Sequence, residues 1–279
     1  MPGVTVGKLV SRIAGHCLYP YPEAMSKNRL SSVANAARVL KAFSAKNPTW
    51  GVSELAKKLS LSSSSTHRLL STLADEGVLE QDADTGRYRL GLSVFDMAAA
   101  MPKQRTLHEA VLVSMTELRS RTGETVQVGV LDGREVVYVE RLDSPNTLRV
   151  FTEVGRRVSA HRTSSGKAIL AFSSKAQRDR LLEGWVLDRK TEFTITDPVA
   201  LREELLVTRR RGYAENRQES EMGVVSVAAP IRDSTGDAVA ALSLAGPHER
   251  MDENRTMYSD AVVLLARTIS LQMGWSGQR

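Results

Sequence analysis

The residues with the greatest catalytic potential are Ser164 and Lys167, in the run Ser164-Ser165-Gly166-Lys167. Their spacing puts a lysine one helical turn from a serine that it could activate, as in Ser-x-x-Lys acyl transferases. The companion Ser-Asp-Asn and Lys-Thr-Gly motifs of those enzymes do not occur in the sequence. We therefore predict that the protein is not an enzyme, and a Ser/Lys hydrolase with a DNA-binding appendage is the less favoured alternative.

The same run could instead bind a ligand. Small residues and free backbone N–H groups at a helix N-terminus attract anions such as carboxylates, although helix capping alone explains the pattern equally well. Gly166-Lys167 lacks the other residues of a phosphate-binding loop. The five histidines and one cysteine show no zinc-site spacing, so no metal or cofactor is predicted.

A second group of polar side chains falls on a helix that Ser62 is predicted to cap. The outward side of this helix carries Ser63, Ser64, His67, Arg68 and Ser71. The inward side carries Ser65, Leu69, Leu70 and Leu73. Short hydroxyl side chains permit close approach to DNA, and an arginine can bind guanine in a bidentate manner. The pattern predicts a helix that enters the major groove.

Neighbouring elements position this helix. A helix over 52–59, capped by Ser53, precedes it, and Gly77 ends it. A hairpin of 78–81 and 87–90 follows, with an arginine at each outward position of its second strand. Helix, turn, helix and basic hairpin predict a winged helix-turn-helix whose wing rests on the DNA backbone. An ordinary helical hairpin with a solvated polar face is the alternative.

Net charge supports the nucleic-acid interpretation. Residues 1–105 contain 14 Lys and Arg against 8 Asp and Glu, whereas the rest of the chain contains 24 of each. Localised positive charge is typical of phosphate binding. The predicted DNA-binding residues are Arg38, Ser53, Ser62, Ser63, Ser64, Ser65, Thr66, His67, Arg68, Ser71, Arg87 and Arg89.

A length of 279 residues indicates about two domains. The predicted segments are a disordered lead over 1–28, a winged helix-turn-helix over 29–91, a linker helix over 92–105 and a second domain over 106–279. One cysteine and the absence of a long apolar run predict a cytoplasmic protein without a membrane partner.

The second domain shows alternating helix and strand patterns. A capping box at Thr106 and Glu109 opens its first helix, which ends near Gly123. Strands are predicted over 126–131, 136–142, 148–152, 224–231 and 238–244. Further helices are predicted over 163–171, 175–182, 198–211 and 252–273. This order indicates an α+β fold, with helices packed on an antiparallel sheet.

Motifs in both halves resemble the IclR family of bacterial transcription regulators, from about Ser31 to Gly274. In the first half they are Val52-Ser53-Glu54-Leu55-Ala56, Leu61 to Leu70, and Gly86-Arg87-Tyr88-Arg89-Leu90-Gly91. In the second half they are Gly123-Glu124-Thr125, Val136-Val137-Tyr138-Val139, Ser165-Gly166-Lys167-Ala168, Arg210-Arg211-Gly212-Tyr213 and Ala228-Ala229-Pro230. Each motif is short, but their common order is highly specific.

The resemblance implies a GAF-like effector-binding domain and a homodimer that often pairs into a tetramer. It also implies binding to double-stranded operator DNA under the control of a small organic acid, amide or aromatic compound. Most relatives repress a catabolic operon and some activate, so we expect a repressor, with an activator as the alternative. Carried over by motif, the effector pocket would include Ser164, Ser165, Asn216, Ser226 and Ser243.

Two pocket positions depart from the family pattern. Relatives that bind small acids often have aspartate at the position of Asn216 and cysteine at that of Ser226. A neutral, hydroxyl-rich pocket is the expected result. The resemblance therefore predicts an effector other than a two- or three-carbon keto acid.

Overall fold

A computed structural model describes residues 30–44, 47–100, 102–150 and 153–277. The predicted disordered lead over 1–28 lies outside these residues. The chain divides into two compact units between Val94 and Phe95. In the part of the chain described, no helix combines the length and apolarity needed to span a bilayer.

The first unit is a three-helix domain with a small antiparallel sheet. Its helices are α1 (Ser31–Leu40), α2 (Val52–Leu59) and α3 (Ser63–Asp75). Its strands are β1 (Thr49–Trp50), β2 (Leu79–Gln81) and β3 (Tyr88–Leu90), in the order β1-β3-β2. The core consists of Val39, Ala42, Phe43, Leu55, Leu70, Leu79 and Tyr88. The predicted helix-turn-helix and wing are confirmed, and β1 is a strand that the sequence analysis missed.

The capping residue predicted for α2 is wrong. Gly51 occupies the N-cap position, and Ser53 lies inside the helix as an exposed residue. Glu54 Oε2 accepts a hydrogen bond from Gly51 N at 3.4 Å, which satisfies one of the free N–H groups at the helix start. The helix ends at Ser60, whose φ of 54° is left-handed.

Two helices follow the wing. They are α4 (Ser93–Ala99) and α5 (Pro102–Thr122), so the predicted linker 92–105 encloses α4 and the first turn of α5. The predicted capping box at Thr106 is wrong, because α5 already begins at Pro102. Proline suits the first helical position, where its missing N–H costs no hydrogen bond.

The second unit is built on a six-stranded antiparallel sheet in the order β6-β5-β4-β9-β8-β7. Its strands are β4 (Thr125–Asp132), β5 (Glu135–Leu142), β6 (Arg157–Ser159), β7 (Ala214–Arg217), β8 (Val224–Arg232) and β9 (Ala238–Pro247). Its remaining helices are α6 (Ser164–Phe172), α7 (Lys175–Leu182), α8 (Pro198–Arg211), α9 (His248–Glu253) and α10 (Arg255–Gln272). The predicted α+β class is confirmed.

Some predicted elements of the second unit differ. Residues 148–150 are not a strand; Leu148 is exposed, and Arg141 Nη2 donates to Val150 O at 2.8 Å. The strand that pairs with β5 there is β6, too short to show periodicity. The predicted last helix is two helices, separated at Asn254.

The two faces of the large sheet differ in chemistry. The face packed against α5 and α10 is apolar and includes Val126, Val128, Val227, Leu242 and Leu244. Because side chains alternate along a strand, the intervening residues face α6. They are small or polar and include Gln127, Asn216, Ser226, Ala228 and Ser243. The fold therefore places a polar layer under α6.

Candidate nucleic-acid interface and effector pocket

The N-terminal end of α3 is ordered by its own serines. Ser62 Oγ accepts a hydrogen bond from Ser65 N at 3.2 Å and donates to Ser65 Oγ at 2.8 Å. Ser62 and Ser64 hydroxyls are also 3.2 Å apart. Ser63, Ser64 and Ser65 are all exposed, so the prediction that Ser65 faces inward is wrong. The capped end therefore presents a row of hydroxyl groups.

Arg68 and His67 continue this exposed face by one turn. Among the residues that the structure describes, Arg68 has no carboxylate partner, and its guanidinium donors are available to a ligand. Ser71, half-buried, donates through Oγ to Arg68 O at 3.2 Å and so is directed toward its own helix. The solvent side of α3 thus carries a free cation among hydroxyls.

Thr66 was predicted to contact DNA, and the structure contradicts this. Its side chain is fully buried on the inner side of α3. Thr66 Oγ1 has no hydrogen-bond partner among the described residues. A residue enclosed in the domain interior cannot touch a duplex, so Thr66 contributes to packing.

Arg38 links two helices of the first unit. Its Nη1 donates to Asn35 Oδ1 at 3.0 Å and its Nη2 donates to Leu59 O, the last residue of α2, at 2.5 Å. Lysine and arginine side chains commonly satisfy the free carbonyl groups at a helix end in this way. Arg38 is exposed, but two of its donors already serve the fold.

Arg87 was expected to be free for phosphate, but its guanidinium is engaged within the domain. Nη1 and Nη2 donate to the two carboxylate oxygens of Glu54 at 3.2 and 2.8 Å, and Nε donates to Thr49 Oγ1 at 3.0 Å. The hydrogen bond from Arg87 lowers the pKa of Glu54 from its ordinary value of 4.5. Arg87 therefore fastens the wing to α2.

Arg89 is paired as well, and the wing tip is acidic. Arg89 Nε donates to Glu80 Oε2 at 3.0 Å across the hairpin. At the tip, Thr85 donates to Asp82 Oδ1 from both its hydroxyl and its backbone N–H, and these bonds lower the pKa of Asp82. With Asp84 also exposed there, the wing is not the basic surface that the alternation of residues predicted.

We expect Arg87→Ala to lower the melting temperature of the first unit at neutral pH. A carboxylate whose folded pKa is depressed stabilises the fold above its unfolded pKa, and this contribution is lost as the pH falls through the folded value. The difference from wild type should therefore narrow below pH 4.5, the ordinary pKa of Glu54. Thermal unfolding followed at several pH values tests this.

Glu54→Gln is the matched control, because it removes the other half of the same ion pair. Its melting temperature should show the same loss at neutral pH and the same narrowing in acid. Wild-type stability in Arg87→Ala at neutral pH would contradict the structural role of this arginine.

One candidate DNA-contacting residue was missed from the sequence. Lys57 lies in the last turn of α2, is exposed, and has no partner among the described residues. The first helix of a helix-turn-helix crosses the DNA backbone, which was the available signal. Its neighbour Lys58 differs, since its Nζ lies 4.5 Å from the centre of the Trp50 ring.

The five residues carried over as the effector pocket are all buried in the second unit. Ser164, the first residue of α6, lies with its Oγ 2.8 Å from Ser226 Oγ on β8. Ser243 donates to Gln127 O at 3.3 Å. The structure therefore brings α6 and the polar sheet face together as one cluster of hydroxyls.

Asn216 stands at the edge of this cluster, opposite Ser226 in the register of β7 and β8. Its Oδ1 accepts a hydrogen bond from Glu219 N at 2.8 Å, and its Nδ2 donates to Ser220 Oγ at 2.9 Å. The side-chain amide thus fixes the turn that follows β7. Because it is uncharged, it adds no negative charge to the cluster.

Two glycines permit close packing around the start of α6. A Cβ placed on Gly166 would lie 2.2 Å from Ala160 O, and one on Gly129 would lie 2.6 Å from Val136 Cγ1. Thr163 caps the helix by accepting a hydrogen bond from Gly166 N at 3.0 Å. Burial raises the pKa of Tyr138, whose hydroxyl lies near that of Ser165. The helix start is therefore capped by Thr163, and its close packing depends on these two glycines.

Lys167 is one of the largest fully buried side chains of the chain. Its Nζ donates to Glu219 Oε1 at 2.6 Å and lies 3.7 Å from Glu204 Oε1. An ammonium engaged in this way is not available to remove a proton from Ser164, so the geometry does not support the hydrolase alternative. Glu219 Oε2 is buried without a hydrogen-bond partner in the described residues.

His161, just before α6, is also structural. Its Nδ1 lies 2.8 Å from Ser159 Oγ, its Nε2 lies 3.1 Å from Asp188 O, and its ring packs edge-on against Trp185. Burial lowers its pKa. In the described ranges, no three His, Cys, Asp or Glu side chains are grouped so as to hold a metal ion.

Comparison with known protein families matches both units. A family model described as "IclR helix-turn-helix domain" matches residues 32–83. A second, described as "Bacterial transcriptional regulator IclR C-terminal", matches residues 99–271. Together they span most of the chain and correspond to regulators rather than enzymes.

Individual proteins agree with these family matches. The HTH-type transcriptional regulator BhcR of Paracoccus denitrificans is 37% identical over 223 residues, which cover 80% of each chain. The transcriptional repressor IclR of Escherichia coli is 30% identical over 254 residues, covering 90% of this chain and 93% of the relative.

Solved structures extend the likeness to the fold. An IclR homologue from Microbacterium hydrocarbonoxydans, crystallised with 4-hydroxybenzoate, superposes with a TM-score of 0.77 at 30% identity, over 87% of this chain and 99% of that one. The Thermotoga maritima IclR superposes with a TM-score of 0.72 at 29% identity, over 88% of this chain and 100% of that one. With a helix-turn-helix unit, an α+β second unit and these matches, the chain belongs to the IclR family of DNA-binding transcriptional regulators.

Proposed function

We propose that this regulator binds an operator through the exposed face of α3, and that an effector in the second unit decides when it binds. The observation that carries the proposal is the exposed guanidinium of Arg68, which has no carboxylate partner in the described ranges and lies on a helix face of hydroxyls. This is the chemistry of a helix that contacts base edges and phosphates in the major groove. Ser63, Ser64 and His67 share the face.

The main phosphate contacts come from residues around α3 rather than from the wing. Lys57 supplies an exposed ammonium at the end of α2, and the hydroxyls of Ser62 to Ser65 can donate to phosphate oxygens. Arg38 and Arg89 are exposed and retain further N–H donors, so they assist as secondary contacts. Arg87 holds the wing in place.

The regulator acts as a homo-oligomer, either a dimer or a dimer of dimers. The support is α4, where Phe95 is 73% exposed and Met97 is also exposed. Large apolar side chains grouped on a short helix are typical of a protein interface. A symmetric dimer would present two α3 helices to a two-fold symmetric operator.

The effector is bound by the buried cluster of Ser164, Ser165, Asn216, Ser226 and Ser243. A relative of the same fold was crystallised in complex with 4-hydroxybenzoate, which supports an aromatic ligand for this cluster. The neutral amide of Asn216 and the hydroxyls around it favour ligands that donate and accept hydrogen bonds over compact keto acids. A ligand alters DNA binding only through unequal affinity for the two states.

The regulator is a repressor of a catabolic operon and works in the bacterial cytoplasm, where its DNA lies. Relatives include a transcriptional repressor and an acetate operon repressor. A repressor leaves its operator when the effector accumulates. An activator of the same family would instead bind its operator more tightly, or through different DNA contacts, when the effector accumulates.

Footprinting of the intergenic DNA upstream of the regulator's own gene tests the proposal. We expect one protected site with two-fold symmetry, released by the effector. Protection without a preferred site would instead indicate a nucleoid-type binder and would contradict the proposal.

A ligand series tests the pocket chemistry. Glyoxylate and pyruvate are expected to give no saturable thermal shift and no release from DNA, because the pocket lacks the carboxylate and thiol of relatives that bind them. Neutral compounds, and aromatic compounds such as 4-hydroxybenzoate, should raise the melting temperature, because a ligand that binds only the folded state stabilises it. Tight binding of either keto acid would refute this view of the pocket.

A further inference from the structure

A cavity of about 800 Å³ lies in the second unit, between the C-terminal end of α6, the helices α7 and α8, and the turn that joins β8 to β9. Its cationic lining consists of Lys175, Arg178, Arg202, Arg209 and Arg232. Two carboxylates, Asp179 and Asp237, also line it. Five cations against two carboxylates leave an excess of positive charge in a half-open cavity of ligand size.

The carboxylate of Asp179 is already occupied. Lys175 Nζ lies 2.6 Å from one of its oxygens, and Arg202 Nη1 lies 3.4 Å from the other. The hydrogen bonds of Arg178 and Arg209 go to backbone oxygens. Arg209 Nη1 donates to Ala171 O at 2.9 Å, and Arg178 Nη1 lies 3.5 Å from the same oxygen.

Capping of α6 explains only part of these contacts. Ala171 is near the C-terminal end of the helix, where carbonyl groups lack intrahelical partners. One nitrogen of each arginine serves this purpose. A guanidinium has five N–H donors, so most donors of Arg178 and Arg209 remain unused within the described residues.

Aromatic rings hold the guanidinium planes in position. The Arg209 Cζ lies 5.7 Å from the centre of the Phe172 ring, and the Arg232 Cζ lies 4.3 Å from the same centre. Arg232 Cζ also lies 4.7 Å from the Trp275 ring centre. Stacking of this kind fixes an arginine before any ligand arrives, so less side-chain entropy is lost on binding.

We propose that this cavity binds a small organic anion that carries several negative charges, as phosphate groups or as more than one carboxylate. The planar guanidinium fork matches both groups in a bidentate manner. The buried serine cluster does not line this cavity. The protein therefore has a second ligand site, separate from the one assigned to the effector.

Isothermal titration calorimetry of the full-length protein with pyrophosphate and with citrate, at matched ionic strength, tests the proposal. Saturable binding of at least one probe is expected; pyrophosphate alone indicates a phosphorylated ligand and citrate alone a polycarboxylate. Arg178→Gln and Arg209→Gln should each weaken binding about tenfold, the effect of one lost hydrogen bond to a charged group. Arg180→Gln, which removes the same charge from an exposed position of α7 outside the cavity, should bind as wild type.

Two further variants locate the site. Binding should change the tryptophan fluorescence of the wild type, and Trp275→Phe should lose this change. If a glutamine variant unfolds, Arg209→Lys keeps the charge, loses the fork, and should weaken binding while melting as wild type. The absence of saturable heat with both probes, or unchanged affinity in folded Arg178 and Arg209 variants, would overturn the proposal.

Discussion

Lys167→Met is expected to lower the free energy of unfolding of the second unit by about 3–5 kcal/mol, the usual cost of removing one partner of a buried ion pair. Lys167 and Glu219 are both buried, with Nζ and Oε1 2.6 Å apart. Methionine retains the length of the lysine stem but leaves Glu219 without its cation. Chemical denaturation monitored by circular dichroism measures the loss.

The double variant Lys167→Met/Glu219→Met distinguishes charge from packing. Replacing both partners of a buried pair by apolar side chains is often neutral or stabilising, so it should recover much of the stability. Lys175→Met is the matched control, since Lys175 and Asp179 are also 2.6 Å apart but the lysine is exposed. An exposed pair contributes little, and a large loss in that variant, or none in Lys167→Met, would contradict the explanation.

Arg68→Ala is expected to weaken operator binding by about 1–3 kcal/mol, roughly 5- to 150-fold, and to relax sequence preference at the base that the arginine contacts. The reason is that the Arg68 guanidinium is exposed on α3 and is unpaired within the part of the chain that the structure describes. Fluorescence anisotropy on the operator and on operators changed at single positions measures both effects. Binding to unrelated DNA should fall much less.

Lys57→Ala is the control variant, because it removes a cation that is expected to contact phosphate and not a base. A lysine that contacts phosphate should weaken binding to all sequences alike and reduce the slope of log affinity against log salt by about one. If Arg68→Ala behaved in that way and Lys57→Ala changed the preferred sequence, the assignment of α3 to the major groove would be wrong.

Helix bounds were predicted best from the sequence where a capping residue stands at each end. The bounds of α8 match the prediction, because Asp197 accepts hydrogen bonds from two N–H groups at its start and Gly212, with a φ of 88°, ends it. Short strands were missed. The two residues of β1 and the three of β6 offer too few side chains for alternation to appear.

Side-chain partners were harder to predict than elements. Strand alternation placed Arg87 on an outward face, yet its partner Glu54 lies 33 residues earlier in another element. The same applies to Lys167 and Glu219, which are 52 residues apart. On α3, an error of one position in the helical phase was enough to exchange exposed Ser65 and buried Thr66. Local spacing cannot specify contacts made between distant segments.

The ion pair between Arg87 and Glu54 also affects how the domain meets DNA. It joins the turn end of the wing to α2 by two hydrogen bonds, while Thr49 Oγ1 accepts a third from the same guanidinium. A wing held in this way is already ordered in the free protein. Little conformational entropy then remains to be lost at docking, so the wing approaches the duplex as a rigid part of the domain and not as an arm that folds on arrival.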